Sequence, residues 1–259
     1  MEPVNSYAEL APLLSAQLKR GVVTNNFLSR ADWERELKHG VDVHTAEGTL
    51  VLLRHRAAHD ILNVYLHPGA ELVLPELPRP TVVELVWRPR DAEAVQQAAA
   101  QFLRMGFAEQ VHRLRRQREP EPLVCEVGTR EPELSLLPVV QRLLEQSFDS
   151  RTGCIPSLQE LGQDGLLCTF REEKPTGVLH YRRTKTGTEL RHLAVRSDCR
   201  GQGLGAVLVE NYLRLTGKEK SQVWAARENA PAQHLYEKYG YRPDGWESVV
   251  LLAGGKENP

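Results

Sequence analysis

Cysteines are few in this sequence and long apolar runs are missing, and both shortages narrow the possible classes of protein. The four cysteines stand far apart and form no CxxC pair, which argues against a disulfide framework or a structural zinc site. No apolar stretch approaches the ~18 residues of a membrane-spanning helix. The first residues, MEPVNSYAELAPLL, lack the basic start and the apolar block of a secretory signal. We therefore expect a cytoplasmic protein with no metal and no membrane partner.

An excess of charge of either sign is also absent. Lysine and arginine total 33, aspartate and glutamate total 34, and the formal net charge is −1. Nothing in this balance favours nucleic acid as a partner. Hydrophobic residues make up 41% of the chain and charged residues 26%, which is ordinary for a globular protein and excludes a disordered or fibrous one.

The middle of the chain indicates a boundary between two domains. Residues 117–133, QREPEPLVCEVGTREPE, are rich in proline and charge. Because a domain commonly has ~100–200 residues, we divide the chain near Pro120. The result is an N-terminal α/β domain over residues 1–120 and a second domain over residues 121–259. We expect the last residues, AGGKENP, to be loose.

Apolar periodicity predicts a mixture of helices and strands in both halves. In the first half we predict helices over 7–19, 30–38 and 91–105, and strands over 41–44, 49–54, 61–66, 81–87 and 107–114. In the second half we predict helices over 136–147, near 158, 203–215 and 231–239, and strands over 123–127, 166–171, 177–182, 189–195, 222–226 and 247–252. Each half contains a strand, a polar turn, a helix, a glycine and an aromatic residue in that order. Internal duplication and a chance likeness of two strand–helix units both explain this pattern.

The motif with the clearest chemistry is RGQGLG, from Arg200 to Gly205, between a predicted strand and an amphipathic helix. Glycines let backbone N–H groups approach an anion, and the following helix directs its positive end to the same place. With the cation of Arg200 the segment suits a pyrophosphate; the alternative is a glycine-rich turn without a ligand. A Walker A loop is excluded because no GK[ST] is present. A dinucleotide fingerprint fits poorly, because residues 196–200 separate the strand from the glycines.

This segment resembles the acetyl-CoA-binding signature Q/R-x-x-G-x-G/A of the GCN5-related N-acetyltransferases (GNAT), with Arg200, Gly203 and Gly205 at its defined positions. Upstream, ELRHLAV resembles the central strand of that family. Downstream, the stretch from Asn229 to Tyr241 resembles the second family motif, N-x-x-A-x-x-L-Y-x-x-x-G-F/Y. The resemblance covers the C-terminal half of the chain, and residues 1–120 show no match of this quality.

The resemblance implies a GNAT-like α/β fold, in which a mixed, mostly antiparallel sheet is splayed at its central strand and flanked by helices. For the N-terminal α/β domain, a degenerate copy of the same fold and a different fold are both open. Acetyl-CoA would lie in the opening of the sheet. The resemblance places its pyrophosphate on the amides of Arg200, Gly201, Gln202, Gly203, Leu204 and Gly205, and its pantetheine along the backbone of Leu193, Ala194 and Val195.

Transfer of an acetyl group to an amine requires a base, because a lysine-like amine has a reference pKa of ~10.4 and must lose a proton before it can attack. Glu189 opens the predicted central strand, a position at which the resemblance places a catalytic glutamate. A solvated carboxylate at a strand end is the alternative. His180 and His192 are further candidate bases, although each better suits a packing role on its strand.

The leaving thiolate requires a proton, and Tyr236 occupies the tyrosine position of the second motif. A phenol can donate that proton and is neutral at pH 7. The helical spacing of Tyr236 from its apolar neighbours also suits a residue of the core. Asn229 suits a helix N-cap that also contacts the coenzyme. Cys154 and Cys199 have no adjacent base in the sequence, and direct transfer needs no covalent intermediate. We expect the arginine cluster at 113, 115, 116 and 118 to lie on a solvated face.

The first half lacks an RxxGxG segment after its predicted strand 61–66, so we predict that it does not bind CoA and instead closes one side of the acceptor site or forms an interface. The resemblance places Phe148–Ser157 at the wall of the acceptor site. No acidic groove for basic peptides is evident, which favours a small-molecule amine as the acceptor. The leading hypothesis is an acetyl-CoA-dependent N-acetyltransferase. The alternatives are a non-catalytic CoA-binding sensor or regulatory protein on the same fold, and a protein N-acetyltransferase.

Overall fold

The computed structural model describes residues 1–18 and 21–254. Two compact units make up the chain. Of the described residues, the first contains Met1–His112 together with Glu247–Gly254, and the second contains Arg113–Trp246. The segment that begins at Glu247 therefore packs with the first unit, although it follows the second unit in the sequence. Lys19, the predicted end of the first helix, and residues 255–259 of the predicted loose tail lie outside the described residues.

Seven helices and twelve strands form the described part of the chain, beside three short 3-10 turns. In chain order they are β1 (Glu2–Val4), α1 (Tyr7–Ala16), β2 (Val23–Thr24), α2 (Arg30–Glu36), β3 (Val41–Ala46), β4 (Thr49–His55), β5 (Asp60–Leu66), β6 (Thr81–Trp87), α3 (Ala92–Arg104), β7 (Ala108–Arg118), α4 (Leu137–Glu145), α5 (Leu158–Leu161), β8 (Gly165–Arg171), β9 (Lys174–Thr184), β10 (Gly187–Val195), α6 (Leu204–Thr216), β11 (Ser221–Ala226), α7 (Ala230–Lys238) and β12 (Arg242–Ala253).

The predicted strand over residues 123–127 is wrong. Residues 119–129 belong to no helix or strand, and Val124 and Val127 are 96% and 69% exposed. Pro120 and Pro122 cannot donate backbone hydrogen bonds to a neighbouring strand. Only Arg130, just beyond this segment, pairs with β8, through two backbone hydrogen bonds to Cys168. The segment is rich in apolar residues, but Val124 and Val127 are exposed and Leu123 is only partly buried against the second unit, so no sheet forms there.

In the first unit, the strands follow the spatial order β1–β3–β4–β5–β6–β12, with β2 also paired to β5. All of these neighbours are antiparallel except β5 and β6, which are parallel and pair only at Asp60–Thr81 and Ile61–Val82. Helix α3 packs on one face of this sheet, where Phe102 is fully buried among apolar strand residues. Trp33 of α2 is buried on the other side of the unit. The sheet of this unit is therefore split between β5 and β6.

In the second unit, the strands follow the order β8–β9–β10–β11–β7. Here β10 and β11 are the parallel pair, and they are in register only from Thr188–Ser221 to Leu190–Val223. Beyond Leu190, β10 continues beside β9 and β11 continues beside β7. This confirms the predicted mixed, mostly antiparallel sheet that is splayed at its central strand.

Helices cover both faces of the second sheet. On one face, α6 and α7 bury an apolar cluster that includes Leu190, Tyr212, Val223 and Tyr236. On the other face, α4 packs over the far ends of β9 and β10, where Val140 and Ala194 are buried together. Within residues 1–18 and 21–254, no helix has both the length and the apolar character needed to cross a membrane.

Candidate active site

The glycine-containing loop joins β10 to α6 and presents unbonded amides. A short 3-10 turn at Ser197–Cys199 follows the strand, and Gly201 and Gly203 then take positive φ angles of 74° and 78°. Gly203 caps α6 without a side-chain hydrogen bond. Among the described residues, no group accepts a hydrogen bond from the amides of Gly203, Leu204 or Gly205. Three donors and the positive end of α6 thus converge at one place, an arrangement that suits a phosphate group.

The space in front of these amides is open. A Cβ atom built at Gly201 or Gly203 would meet no atom within 4 Å, and one at Gly205 would meet only Leu235 Cδ2, at 3.6 Å. The side chain of Arg200 is exposed, and its Nε donates to the carbonyl oxygen of Val195 at 3.1 Å. This hydrogen bond holds the guanidinium at the end of β10. The predicted pyrophosphate-binding segment is therefore formed and accessible, and no side chain fills it.

The predicted pantetheine-binding residues lie on the unpaired stretch of the central strand. Leu193, Ala194 and Val195 are aligned with Leu179, Val178 and Gly177 of β9. Toward β11, no described strand pairs with β10 beyond Leu190. The backbone polar groups on this edge of β10 are therefore available to an extended ligand that runs along the strand from the loop.

The closed end of the split is held by a chain of buried hydroxyl groups. The hydroxyl of Tyr212 lies 2.7 Å from Thr188 Oγ1 and 2.8 Å from Ser221 Oγ, and Ser221 Oγ lies 2.6 Å from the hydroxyl of Tyr241. Thr188 and Ser221 are the first paired residues of β10 and β11. The hydroxyl chain thus joins the two strands at the point from which they diverge.

Tyr236 lies on α7 and is buried in the cluster between α6 and the sheet, with its ring edge-on to Tyr241. Burial raises the pKa of the Tyr236 phenol well above its ordinary value, so the group stays protonated at neutral pH. No described group hydrogen-bonds its hydroxyl. Asn229 caps the start of α7, and its side chain accepts a hydrogen bond from the amide of Ala232 at 3.1 Å. Its structural role is therefore observed, and its predicted contact with the coenzyme stays a prediction.

Glu189 lies on β10 just inside the paired end, opposite Arg182 of β9 and Gln222 of β11. Its half-buried carboxylate is 3.4 Å from Nη1 of Arg191. Neighbouring residues of a strand project to opposite faces. Because Leu190 faces the cluster that contains Tyr236, Glu189 faces the other side of the sheet. The structure therefore places the two predicted catalytic residues on opposite faces of the strand beside the gap.

His180 and His192 form a buried pair on the same face as Glu189. The two residues are directly opposite each other in β9 and β10, and their Nδ1 atoms are 3.0 Å apart. His180 Nε2 is 2.8 Å from Oδ2 of Asp164, and His192 Nε2 is 2.8 Å from the carbonyl oxygen of Gly153. Both imidazoles thus pack and hydrogen-bond. Sequence reasoning missed Asp164 and Gly153, since no local pattern connects residues 16 and 39 positions apart.

The expectation that the arginine cluster lies on a solvated face is wrong. Arg116 and Arg118 are both 5% exposed. Arg116 donates to the side chains of Gln233 and Glu237, and Arg118 donates to the carbonyl oxygen of Tyr239, so both hold α7 against β7. The residues of β11 that pair with β7 are alternately buried and half-buried. One face of β7 is therefore covered.

In the first unit, the split between β5 and β6 is occupied by β2 and Asn25. Beyond Ile61, β2 pairs with Leu66 and Tyr65 along the edge of β5. The buried side chain of Asn25 continues this pairing, because its Nδ2 donates to the carbonyl oxygen of Leu62 at 2.9 Å and its Oδ1 accepts from the amide of Val64 at 2.8 Å. The first unit therefore has the split sheet, and the edge of β5 within the split is hydrogen-bonded to β2 and Asn25.

The second unit fits a coenzyme A thioester in its shape and chemistry. Free amides at a helix start suit a diphosphate, and an unpaired strand edge suits the amide groups of pantetheine. No three His, Cys, Asp or Glu side chains of the described ranges are grouped as metal ligands would be.

Comparison with known proteins agrees with this geometry. Residues 163–243 match the family model of the acetyltransferase (GNAT) domain. No curated protein matches the chain in sequence. The matched residues include β9, β10, the loop and both α6 and α7.

Solved structures resemble the fold of a longer part of the chain. A tandem GNAT protein from the clavulanic acid biosynthesis pathway is 12% identical, and the match covers 99% of each chain with a TM-score of 0.58. An acetyltransferase of the GNAT family from Colwellia psychrerythraea is 14% identical over 97% of this chain and 98% of its own, with a TM-score of 0.55. A putative GNAT acetyltransferase from Novosphingobium aromaticivorans is 16% identical over 83% of this chain and 92% of its own, with a TM-score of 0.54. The chain therefore has a GNAT-like fold, and its residues 163–243 match the GNAT acetyltransferase domain.

Proposed function

We propose that this protein is an N-acetyltransferase that moves an acetyl group directly from acetyl-CoA to the primary amine of a small molecule. The observation that carries the proposal is the coincidence of two features in one unit. The amides of Gly203, Leu204 and Gly205 are free at the start of α6, and β10 separates from β11 directly beside them. One feature suits the diphosphate of the coenzyme and the other suits its pantetheine arm.

In the proposed reaction the amine nitrogen attacks the thioester carbonyl carbon, a C–N bond forms and the C–S bond breaks. An ammonium substrate loses two protons on becoming an amide. We assign the first proton to Glu189, directly or through water, and the second to the departing thiolate through Tyr236. The phenol of Tyr236 carries its proton at neutral pH, as the acid role requires, and the pKa that burial raises also makes it a weaker acid than a phenol in water.

The charges beside Glu189 support a small acceptor over a basic peptide. Arg182 and Arg191 flank Glu189 on its own face of the sheet, and Arg113 donates to the carbonyl oxygen of Thr152 in the loop that faces His192. Arg182 and Arg191, the two cations beside this carboxylate, disfavour a peptide rich in lysine or arginine. A single amine, with a carboxylate or another polar group of its own, fits this balance of charge better.

The test is a broad screen of small amines with acetyl-CoA, in which release of the free thiol is followed over many turnovers. The proposal predicts steady thiol release with at least one class of amine and a rate that depends on amine concentration. Binding of acetyl-CoA without amine-dependent thiol release would favour the non-catalytic sensor. Turnover of N-terminal peptides alone would favour the protein N-acetyltransferase.

A further inference from the structure

The chain from Asp164 to Gly153 contains three short contacts that require three protons. His180 Nε2 faces Asp164 Oδ2, the two Nδ1 atoms face each other, and His192 Nε2 faces the carbonyl oxygen of Gly153, all at 3.0 Å or less. Each contact is a hydrogen bond only if one proton lies between its two atoms. Two neutral imidazoles and a carboxylate supply two protons. The complete chain therefore holds one proton more than its neutral form.

The neutral form can satisfy only two of the three contacts, and the surrounding structure decides which one is lost. Asp164 is a charged acceptor that also pairs with Arg182, so its bond to His180 is kept. His180 and His192 are opposite each other in the paired strands β9 and β10 and both are buried, so their contact opens less readily than a contact to a loop. Gly153 lies in a loop outside any helix or strand. The contact between His192 and this loop is therefore the one that the neutral form gives up.

The charged groups around the pair are known from every element that packs on it. Glu160 lies on α5 and Asp164 between α5 and β8, Arg182 on β9, Glu189 and Arg191 on β10, Arg113 on β7, and Asp149 and Arg151 in the loop that contains Gly153. The buried side chains of α4 on this face are all apolar. Burial lowers the pKa of His180, and Asp164 opposes that shift. Burial also lowers the pKa of His192, to about 4, so the extra proton belongs to His180 beside the carboxylate.

We propose that Asp164, His180 and His192 are positioning residues that fasten the loop at residues 148–155 to β10 when the pair binds its third proton. Phe148 packs edge-on against His192, 5.1 Å between ring centroids, and Arg113 holds the carbonyl oxygen of Thr152, so the loop is anchored at two points that precede Gly153. The third proton is bound only below the His180 pKa, which is itself lower than 6.5, so the fastened form predominates in acid and the released form at higher pH. If the proposed function holds, this loop borders the amine beside Glu189.

The direct test is NMR of the full chain labelled with ¹⁵N in histidine, recorded from acid to alkaline pH with long-range ¹H–¹⁵N correlations. Above the midpoint we expect His180 with its proton on Nε2 and His192 with its proton on Nδ1. Below the midpoint we expect His180 to be an imidazolium and the proton of His192 to lie on Nε2. Both rings should report one common midpoint. A His192 ring that carries its proton on Nε2 at every pH, or separate midpoints of the two rings for uptake of the third proton, would overturn the proposal.

A kinetic readout tests the link to the acceptor. In His192→Phe the ring still packs against Phe148, but no nitrogen remains to bind a proton. We therefore expect the ratio of the amine KM of this variant to that of the wild type to change across the pH at which the histidine pair binds its third proton. The same ratio for acetyl-CoA should stay constant, and the exposed-residue control His39→Gln should change neither. An amine KM ratio that does not vary with pH would refute the positioning role. If no amine is turned over, the proposed function fails, and the NMR result still decides whether the three residues bind the proton as a unit.

Discussion

Glycine at positions 203 and 205 leaves room in front of the backbone amides that start α6. Of the two, Gly205 is the better position for a test, because it has an ordinary helical backbone conformation, whereas Gly203 has a φ of 78° that strains other residues. A Cβ at Gly205 makes only an ordinary contact with Leu235. Substitution there changes the chemistry in front of the amides without disturbing the fold.

We predict that Gly205→Glu weakens acetyl-CoA binding by at least ~10², since like charges ~4 Å apart near a protein surface repel by about 4 kcal/mol. The fold should be as stable as the wild type or more so, because a carboxylate near a helix start and the loss of a helical glycine are both favourable. Calorimetry gives the affinity and thermal unfolding gives the stability. The control is Gly205→Ala, which the signature allows, and it should bind like the wild type. Equal binding by the Glu variant would place the diphosphate elsewhere.

Tyr236→Phe should lower kcat by ~10² or more, the usual contribution of one general acid, and leave the affinity for acetyl-CoA unchanged. Tyr239→Phe, at the residue that caps the end of α7, makes the same chemical change at a hydroxyl that donates to Glu210 and should leave kcat unchanged. Because the pKa of Tyr236 is raised above its reference value of 10.0, its ionisation should cause no loss of rate below pH 10. An unaltered kcat in Tyr236→Phe would remove the acid role and leave Tyr236 as a core residue.

At the scale of elements, the site depends on where two parallel strands part. The hydroxyl chain of Thr188, Tyr212, Ser221 and Tyr241 lies at that point, and all four residues are buried. A buried hydroxyl that loses its partner costs more than the bond it made, because it cannot return to water. The closed end of the split should therefore be sensitive to the loss of one oxygen.

We expect Ser221→Ala to lower the free energy of unfolding by ~1–3 kcal/mol, since it leaves the hydroxyl of Tyr241 without its partner. Urea denaturation of the full chain measures this loss. Ser135→Ala removes an exposed hydroxyl and should change stability by no more than ~0.5 kcal/mol. Equal stability of the two variants would show that the hydroxyl chain does not hold the strands.

Helices and strands with strong apolar periodicity could be predicted from the sequence, and their bounds agree within a few residues; α6 and β10 are examples. The glycine loop could be predicted because its chemistry is local. The two-residue strand β2 and the bond of Asn25 to β5 could not, because two residues have no periodicity and their partners lie far along the chain. The contacts of His180 and His192 with each other and with Asp164 could not be predicted either, because these partners also lie far apart in the chain. The expected strand at 123–127 shows the converse error, in which a local pattern has no partner strand.

At the scale of the whole molecule, the chain contains two split sheets of the same kind, and they differ in what lies within the split. In the first unit β2 and Asn25 bond the edge of β5. In the second unit the edge of β10 beyond Leu190 pairs with no described strand. Internal duplication and a chance likeness both explain two splits of this kind, and the expectation that the first half does not bind CoA stays a prediction.

The central claim is that one opening in this chain takes acetyl-CoA, at the start of α6. Titration of acetyl-CoA into the full chain, followed by calorimetry, tests it most directly. We predict one molecule bound per chain, with binding lost in Gly205→Glu and kept in Gly205→Ala. No heat at millimolar acetyl-CoA, or two molecules bound per chain, would contradict the account.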